Sequence, residues 1–356
     1  MSYYILPKII NIINVSPESS CDEIQPYISF SLLKYYTLMN NQIIEMFSNQ
    51  DDSLNNTYCE SLKIVNPYEF IYSKVPGSKF SVSKLKPTSN LFYDLIEIYN
   101  NLNLFEPFKY KNISSLIVSS NRDDVIECQE IFRENFTDEK IYLPNIDIDN
   151  TLRDNQKKFD YIFYETDNNY YFESIVKLLM IAFKNQSING NLVIKVENLF
   201  YKPAVDMLYI LSSLYEKVYI TKPNTNNITS FDKYIVCKNF LFGEKFEDYL
   251  NLNYLRLIIF IKKLEGRFIT QILNFHIPYY FKIKINDLNI IIGQQQLESL
   301  AQIVTIYKNK NKEDKIESIK KSNIQKSVYW CEKYKIPCNK FTEKINIFLP
   351  INNEMI

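Results

Sequence analysis

The chain of 356 residues is poor in the residues that build several common kinds of active site. Its single histidine, His276, disfavours a histidine-rich metal site or an ordinary Ser-His-Asp triad, unless His276 itself serves. The 6 cysteines are scattered without a CxxC pair, so we expect neither a zinc site nor a disulfide scaffold. Only 5 glycines are present, in a composition whose bias towards Asn, Ile and Lys partly reflects an AT-rich genome.

The sequence also lacks an excess of charge and a long apolar run. Lys+Arg and Asp+Glu are 41 each, so any contact with RNA must come from a local basic patch. Apolar runs such as Leu257 to Ile261 are too short to cross a bilayer, and the N-terminus lacks a signal-peptide pattern. We therefore expect a soluble intracellular protein with one main domain and additional segments at both ends.

Alternating strand and helix patterns predict an α/β core between about 110 and 240. This alternation indicates a mostly parallel sheet covered by helices on both faces, with a last strand pair that is antiparallel. The predicted strands are Ser115 to Ser119, Lys140 to Leu143, Phe159 to Glu165, Leu192 to Val196, Lys217 to Thr221 and Lys233 to Cys237. Helices are predicted at Ser31 to Phe47, Arg122 to Asn135, Phe172 to Lys184, Tyr249 to Lys263, Leu297 to Lys308 and Ile319 to Lys333. The polar stretch Asn49 to Asn56 is predicted to be a loop.

Two sets of lysines are candidates for function. Lys195 lies inside an apolar strand after a glycine turn, where lysine is seldom found unless it is paired or functional. A second set, Lys74, Lys79, Lys84 and Lys86, lies among serines and aromatic residues before Pro87. This run is either a local phosphate-binding strip for RNA or a solvated loop.

The order of several segments resembles the FtsJ/RrmJ-like S-adenosylmethionine-dependent RNA ribose 2′-O-methyltransferases, in particular the cap-type branch of large DNA viruses. The segments are NPYEFIYSKVPG, SVSKLKPTSNLFYDLIEI, KFDYIFYE, GNLVIKV, ILSSLYEKVYITKP, TSFDKYIVCKNF and YWCEKYKIPCN. The resemblance covers about 66 to 240, and 320 to 340 locally. It implies a Rossmann-like methyltransferase sheet, with an N-terminal extension at 1–65, the FtsJ-like domain at 66–242 and a mainly helical C-terminal region at 243–356 packed on it.

The resemblance also implies a catalytic Lys-Asp-Lys-Glu tetrad, in which a lysine of lowered pKa activates the ribose hydroxyl. The matching positions here are Asp94, Glu165, Lys195 and Asp232, and only Lys195 is identical. We therefore interpret these four residues as the remnant of a catalytic tetrad. Lys195 is either the retained catalytic lysine or a strand-end lysine that pairs with Glu165 or Asp232 without turnover.

The cofactor loop departs further from the family. The family has a glycine-rich turn that lets the backbone approach the cofactor. The matching residues are Ser119, Ser120, Asn121, Arg122, Asp123 and Asp124, with no glycine. We expect the side chains of Arg122, Asp123 and Asp124 to occupy the space that S-adenosylmethionine needs. We expect no cofactor and no metal.

Two functions follow as hypotheses. The first is a catalytically degenerate methyltransferase-fold protein that acts as an RNA-binding or assembly subunit in viral mRNA processing. Its partners would be RNA, including capped mRNA, or a paralogous methyltransferase or processing subunit, without a membrane. Such a protein would act in the host cytoplasm or the virion. The second is an active S-adenosylmethionine-dependent mRNA cap 2′-O-methyltransferase with an altered site.

Overall fold

The computed structural model describes residues 2–48, 53–143, 157–309 and 313–339. Within these ranges the chain forms nine strands and nine α-helices. The strands are β1 (Ser2–Ile5), β2 (Glu18–Ser20), β3 (Ser114–Val118), β4 (Glu139–Leu143), β5 (Phe159–Glu165), β6 (Gln186–Val196), β7 (Tyr215–Lys222), β8 (Lys233–Phe240) and β9 (Phe268–Gln271). The helices are α1 (Phe30–Ser48), α2 (Ser53–Val65), α3 (Leu91–Leu102), α4 (Arg122–Phe132), α5 (Tyr171–Asn185), α6 (Lys202–Leu214), α7 (Glu247–Lys262), α8 (Tyr279–Lys308) and α9 (Glu313–Lys333).

Seven of the strands form one mixed sheet in the order β1-β7-β8-β6-β5-β3-β4. Strands β4, β3, β5 and β6 run parallel. Strand β8 pairs antiparallel with both β6 and β7, and β1 pairs antiparallel with the outer edge of β7. Strands β2 and β9 form a separate antiparallel pair. The predicted parallel sheet with an antiparallel last pair is therefore confirmed.

Neighbouring side chains of the central strands face two different layers of helices. On β5, the Tyr161 hydroxyl is hydrogen-bonded to the hydroxyl of Tyr99 on α3. The next residue, Ile162, belongs to the apolar core that residues of α5 and α6 also build. Because successive side chains of a strand point to opposite faces, helices cover the sheet on both sides. Burial on both faces explains why these strands are almost continuously apolar in sequence.

Gly190 permits an irregular start of β6, which the sequence analysis placed at Leu192. The pairing of β6 with β5 shifts register between Phe159 and Tyr161. A Cβ atom on Gly190 would lie 2.8 Å from the Ser187 carbonyl oxygen and 3.0 Å from that of Asp160. The glycine turn predicted before this strand is therefore a bulge within it.

The two largest differences from the predicted boundaries concern the starts of helices α2 and α8. Helix α2 begins at Ser53, so the loop predicted at Asn49 to Asn56 is wrong for 53–56, and 49–52 lie outside the described residues. Helix α8 begins at Tyr279 instead of Leu297. Its first half carries apolar residues on more than one side, with Ile290 and Ile291 exposed and Ile292 buried, so it shows no clear helical face.

The contacts divide the chain into two compact units. The first comprises Met1–Asn49 and Thr88–Ala301 and contains the seven-stranded sheet. The second comprises Gln50–Pro87 and Gln302–Ile356, where Asn323 on α9 donates a hydrogen bond to the carbonyl of Ile64 on α2. The segments expected at 1–65, 66–242 and 243–356 stay a prediction about domains, although β1, from the first of them, belongs to the main sheet. No described helix is both long enough and apolar enough to cross a membrane.

Candidate functional site

A cavity of about 790 Å³ opens where the parallel strands of the first unit end. This is the edge at which open α/β sheets bind their ligands, and the volume lies within the range of small-molecule sites. Strands β3, β4, β5 and β6 all contribute to its wall. The lining residues are Ser119, Ser120, Arg122, Asp123, Tyr142, Leu143, Glu165, Thr166, Asp167, Asn168, Lys195, Val196, Glu197 and Asp232.

An ion pair between neighbouring strands forms the floor of this cavity. Glu165 at the end of β5 is in register with Lys195 on β6, and the Lys195 Nζ lies 2.8 Å from Glu165 Oε1. The second carboxylate oxygen, Oε2, accepts a hydrogen bond of 2.5 Å from the Ser119 hydroxyl. Both oxygens of Glu165 are thus engaged by protein donors. The side chains of Lys195 and Glu165 are 23% and 12% exposed, so solvent screens the pair only partly.

The charges around Lys195 keep it protonated. Burial lowers the pKa of Lys195, but the carboxylates of Glu165, Asp232 and Asp94 together outweigh this effect. The pKa of the Lys195 amine consequently lies above its ordinary value. Three of the four positions that the resemblance matches to a tetrad, Glu165, Lys195 and Asp232, line this cavity. Their role as a remnant tetrad stays a prediction.

Asp94 is the tetrad position that does not line the cavity. It lies on α3, is 2% exposed, and binds the loop between β7 and β8 (residues 223–232, the β7–β8 loop). Its carboxylate accepts hydrogen bonds from Thr225 Oγ1 at 2.5 Å and Asn226 Nδ2 at 2.8 Å. A third comes from the Tyr234 hydroxyl at 2.9 Å. Burial raises the pKa of Asp94 to about 6, although the three hydrogen bonds and Lys195 oppose it. The hydrogen bonds from Thr225 and Asn226 to Asp94 hold this loop.

Two lysines at the ends of the β7–β8 loop, the half-buried Lys222 and the buried Lys233, were not predicted from the sequence. Lys222 donates to Asn226 Oδ1 at 2.7 Å and to the carbonyl oxygens of Ser230 and Asp232, both at 2.8 Å. Burial lowers the pKa of Lys222 to about 8, although Asp232 and Asp94 oppose it. Burial, followed by the charge of Lys222, lowers the pKa of Lys233 to about 7. The available sequence signal was the occurrence of lysines at strand ends on both sides of one polar loop.

The loop that the resemblance matches to a cofactor loop lies at the rim of the cavity. The Ser119 hydroxyl accepts a hydrogen bond from the backbone N–H of Asn121, and the side chains of Arg122 and Asp123 are 61% and 75% exposed. Asp124 points elsewhere: it is buried and accepts hydrogen bonds from the Thr88 backbone N–H at 2.8 Å and the Ser89 hydroxyl at 2.5 Å. The expectation that Asp124 fills the cofactor space is therefore wrong, because its carboxylate fixes the turn before α3 instead.

A second cavity of the first unit, of about 510 Å³, combines aromatic rings with carboxylates. It shares Asn168 and Glu197 with the cavity at the strand ends. The rings of Phe172 and Tyr201 meet edge to face at 5.4 Å between centroids. The other rings and carboxylates in its wall are Tyr170, Tyr171, Phe268, Glu23 and Glu173.

The lysines predicted as RNA contacts lie in the second unit. Lys74, Lys79, Lys84 and Lys86 surround a cleft of about 550 Å³, here called the lysine cleft. All four are exposed. The candidate residues thus form two groups, one in each unit.

No protein-family model and no curated protein sequence matches the chain. Among solved structures, a candidate ribosomal RNA methyltransferase from Plasmodium falciparum is similar over 44% of this chain and 99% of its own, with 18% identity and a TM-score of 0.34. Phosphoethanolamine N-methyltransferase 2 from Haemonchus contortus, solved with S-adenosyl-L-methionine, matches over 44% of this chain and 41% of its own, with 12% identity and a TM-score of 0.28. A candidate hemolysin from Streptococcus thermophilus matches over 51% and 78%, with 10% identity and a TM-score of 0.29.

The chain has a Rossmann-like methyltransferase fold. This assignment comes from the strand order and directions of the sheet and from its two helical layers. The identities and TM-scores of the solved structures carry no argument about function.

The hydrogen bonds of Asp94 predict the effect of placing a lysine, the residue that the resemblance implies, at position 94. Asp94→Lys replaces the buried carboxylate by a positive charge that faces the three donors Thr225, Asn226 and Tyr234. We expect this change to lower the free energy of unfolding by roughly 3–5 kcal/mol. Urea denaturation measures this loss. Asp123→Lys, at a side chain that is 75% exposed, is the matched control and should change stability by less than about 0.5 kcal/mol. A stable Asp94→Lys protein would show that the carboxylate does not hold the loop.

Lys233 predicts a pH dependence of stability. Its pKa is about 7 in the folded protein and about 10.4 in the unfolded chain, so the unfolded chain binds the proton more tightly between these values. The free energy of unfolding should therefore rise with pH from about 7 to about 10, with Lys233 contributing up to about 1.4 kcal/mol per pH unit. Lys233→Met should flatten this rise, whereas Lys217→Met, at an exposed side chain, should not. Parallel stability curves for wild type and Lys233→Met would rule out this role.

Proposed function

We propose that this protein is an RNA-binding subunit of viral mRNA processing, built on a methyltransferase fold whose methyl-transfer site is degenerate. The observation that carries the loss of catalysis is the charge of Lys195. A lysine that accepts a proton from a ribose hydroxyl must be neutral near physiological pH. Lys195 instead has a raised pKa, because three carboxylates surround it where the family pattern has two carboxylates and a second lysine.

The wall of the cavity also fits S-adenosylmethionine poorly. The loop from Ser119 to Asp124 has no glycine that would let the backbone approach the cofactor's methionine part. Arg122 at the rim is paired with Asp123, with 3.5 Å between Arg122 Nε and Asp123 Oδ1, and both oxygens of Glu165 are already engaged by protein donors. We therefore derive no step of a reaction through this cofactor.

Two features support a role in binding RNA: the lysine cleft, and the second cavity of the first unit with its aromatic rings and carboxylates. A methylated cap base carries a positive charge on an aromatic ring, which aromatic side chains attract through their ring faces. The cavity with Phe172, Tyr201 and Glu197 supplies rings and negative charge together. RNA, including capped mRNA, is thus the partner we propose, with a paralogous methyltransferase or processing subunit as a possible companion. The host cytoplasm or the virion is the corresponding location.

One observation favours the second candidate, an active S-adenosylmethionine-dependent mRNA cap 2′-O-methyltransferase with an altered site. The cavity at the strand ends has room for a small ligand, and Asp124 does not obstruct it. In that case Glu165 and Asp232 would balance the positive charge of a sulfonium group. The proposal and this alternative differ in two measurable properties, cofactor binding and methyl transfer.

Calorimetry with excess S-adenosylmethionine should show no binding heat, and capped RNA should receive no methyl group. The physical reason is the protonated Lys195 and the loop without glycine. A binding heat, together with methyl transfer that disappears in Lys195→Ala and persists in Lys217→Ala, would replace the proposal with the active-enzyme alternative. Lys217 is the control because it lies exposed on β7, outside the cavity wall.

A further inference from the structure

We propose that the lysine cleft of the second unit binds the phosphate backbone of single-stranded RNA. The inference rests on the proposed function, since it takes RNA as the ligand, and it adds which surface binds and which form of RNA fits. The cleft lies wholly within the second unit and contains no residue of the two cavities described above. It is therefore an RNA contact separate from the candidate site.

The wall of the lysine cleft is a loop with a fixed backbone. Gly77, with φ at +77°, turns the chain, and the loop closes through a hydrogen bond from the Val75 N–H to the Phe80 carbonyl at 2.9 Å. Val82 and Ser83 are then buried, with 0% and 1% exposure. The exposed lysines lie next to these anchored residues, on a backbone that is held in place.

A segment near the C-terminal end of the described chain fixes the loop from the other side. Ser83 and Cys338 form an antiparallel bridge, and the Lys84 N–H donates to the Pro337 carbonyl at 2.8 Å. Asn339 donates from its backbone to the Val82 carbonyl and from its side chain to the Ser81 carbonyl. The cleft is thus formed before any ligand arrives, which lowers the entropic cost of binding.

The charge of the lysine cleft is not compensated by its own wall. The ammonium groups of Lys74, Lys79, Lys84 and Lys86 form no ion pair or hydrogen bond with the described part of the chain. No aspartate or glutamate lines the cleft in that part of the chain. Glu69 on the preceding turn is occupied by hydrogen bonds from Asn66 and Ser73. Four unpaired positive charges in one concave surface attract a polyanion.

An exposed aromatic ring indicates the form of the nucleic acid. Phe80 lines the cleft and is 57% exposed, and Tyr72 lies in the same wall with 41% exposure. Bases stack on aromatic rings only when they are splayed out of a duplex, so lysines next to an exposed ring favour a single strand. An acidic protein segment would use the lysines but would gain little from the ring.

The experiment is a salt titration of binding to a fluorescein-labelled single-stranded RNA of about 12 nucleotides, between about 50 and 300 mM salt. The full chain is compared with Lys74→Gln/Lys79→Gln/Lys84→Gln/Lys86→Gln. Each lost phosphate contact reduces the slope of log K against log salt by about 0.7, so the variant should lose about 2.8 in slope. Its affinity at low salt should fall at least about tenfold.

The matched control removes the same charge elsewhere in the same unit. Lys63, Lys315, Lys321 and Lys326 are exposed on α2 and α9 and do not line the cleft. Their joint replacement by Gln should leave the slope within about one unit of wild type. Phe80→Leu should weaken single-strand binding at least about fivefold with an unchanged salt slope, while binding to a duplex of equal length stays the same.

The outcomes separate this inference from the proposed function. If the wild-type protein binds single-stranded RNA and the cleft variant keeps the full slope, the RNA surface lies elsewhere and only this inference fails. If the wild type binds no RNA, the proposed function fails with it. If the control variant loses the same amount of salt slope, binding depends on the total charge of the protein and not on the cleft, and the inference is overturned. Displacement of RNA by an acidic peptide, with no effect of Phe80→Leu, would assign the cleft to a protein partner.

Discussion

The charge balance around Lys195 is the constraint on which the candidate site depends. The register of two parallel strands places Lys195 beside Glu165, and the carboxylates of Asp232 and Asp94 add to the same field. In a partly buried environment this field outweighs the cost of burying an ammonium group, so the amine stays charged. The ion pair joins the ends of β5 and β6. While its amine is charged, a lysine has no free electron pair with which to take a proton from a hydroxyl. Glu165 and Lys195 thus form an ion pair at the cavity, and Asp232 lines the same wall.

Asp94 holds a loop of the site in place through its hydrogen bonds. The resemblance places a lysine there, whereas this chain has a buried carboxylate that binds Thr225, Asn226 and Tyr234. Lys222 holds the other side of the same loop through Asn226 and the carbonyls of Ser230 and Asp232. Between them, a carboxylate and an ammonium group fix the segment that carries Asp232 to the cavity. A single reversal of residue 94 would not restore the family's site, because the loop depends on the carboxylate.

The sequence predicted the parts of the fold that follow from local pattern. Strand β5 was predicted at its observed bounds, and Glu165 and Lys195 meet because neighbouring parallel strands end at one edge. The rest depends on partners distant in sequence. The pairing of β1 with β7, the small β2–β9 sheet and the contact between Thr225 and Asp94, 131 positions apart, leave no local signal. Asp124 was misjudged for the same reason, since its partners Thr88 and Ser89 precede another helix.

The most direct test of the account is the titration of the Lys195 amine itself. Nuclear magnetic resonance of the lysine side-chain nitrogens, with the signal assigned by its loss in Lys195→Arg, gives the pKa without any assumption about a substrate. The account predicts a pKa above the ordinary lysine value of about 10.4. A pKa below about 8 would mean that Lys195 can accept a proton near neutral pH, and would contradict the proposal that this site does not perform methyl transfer.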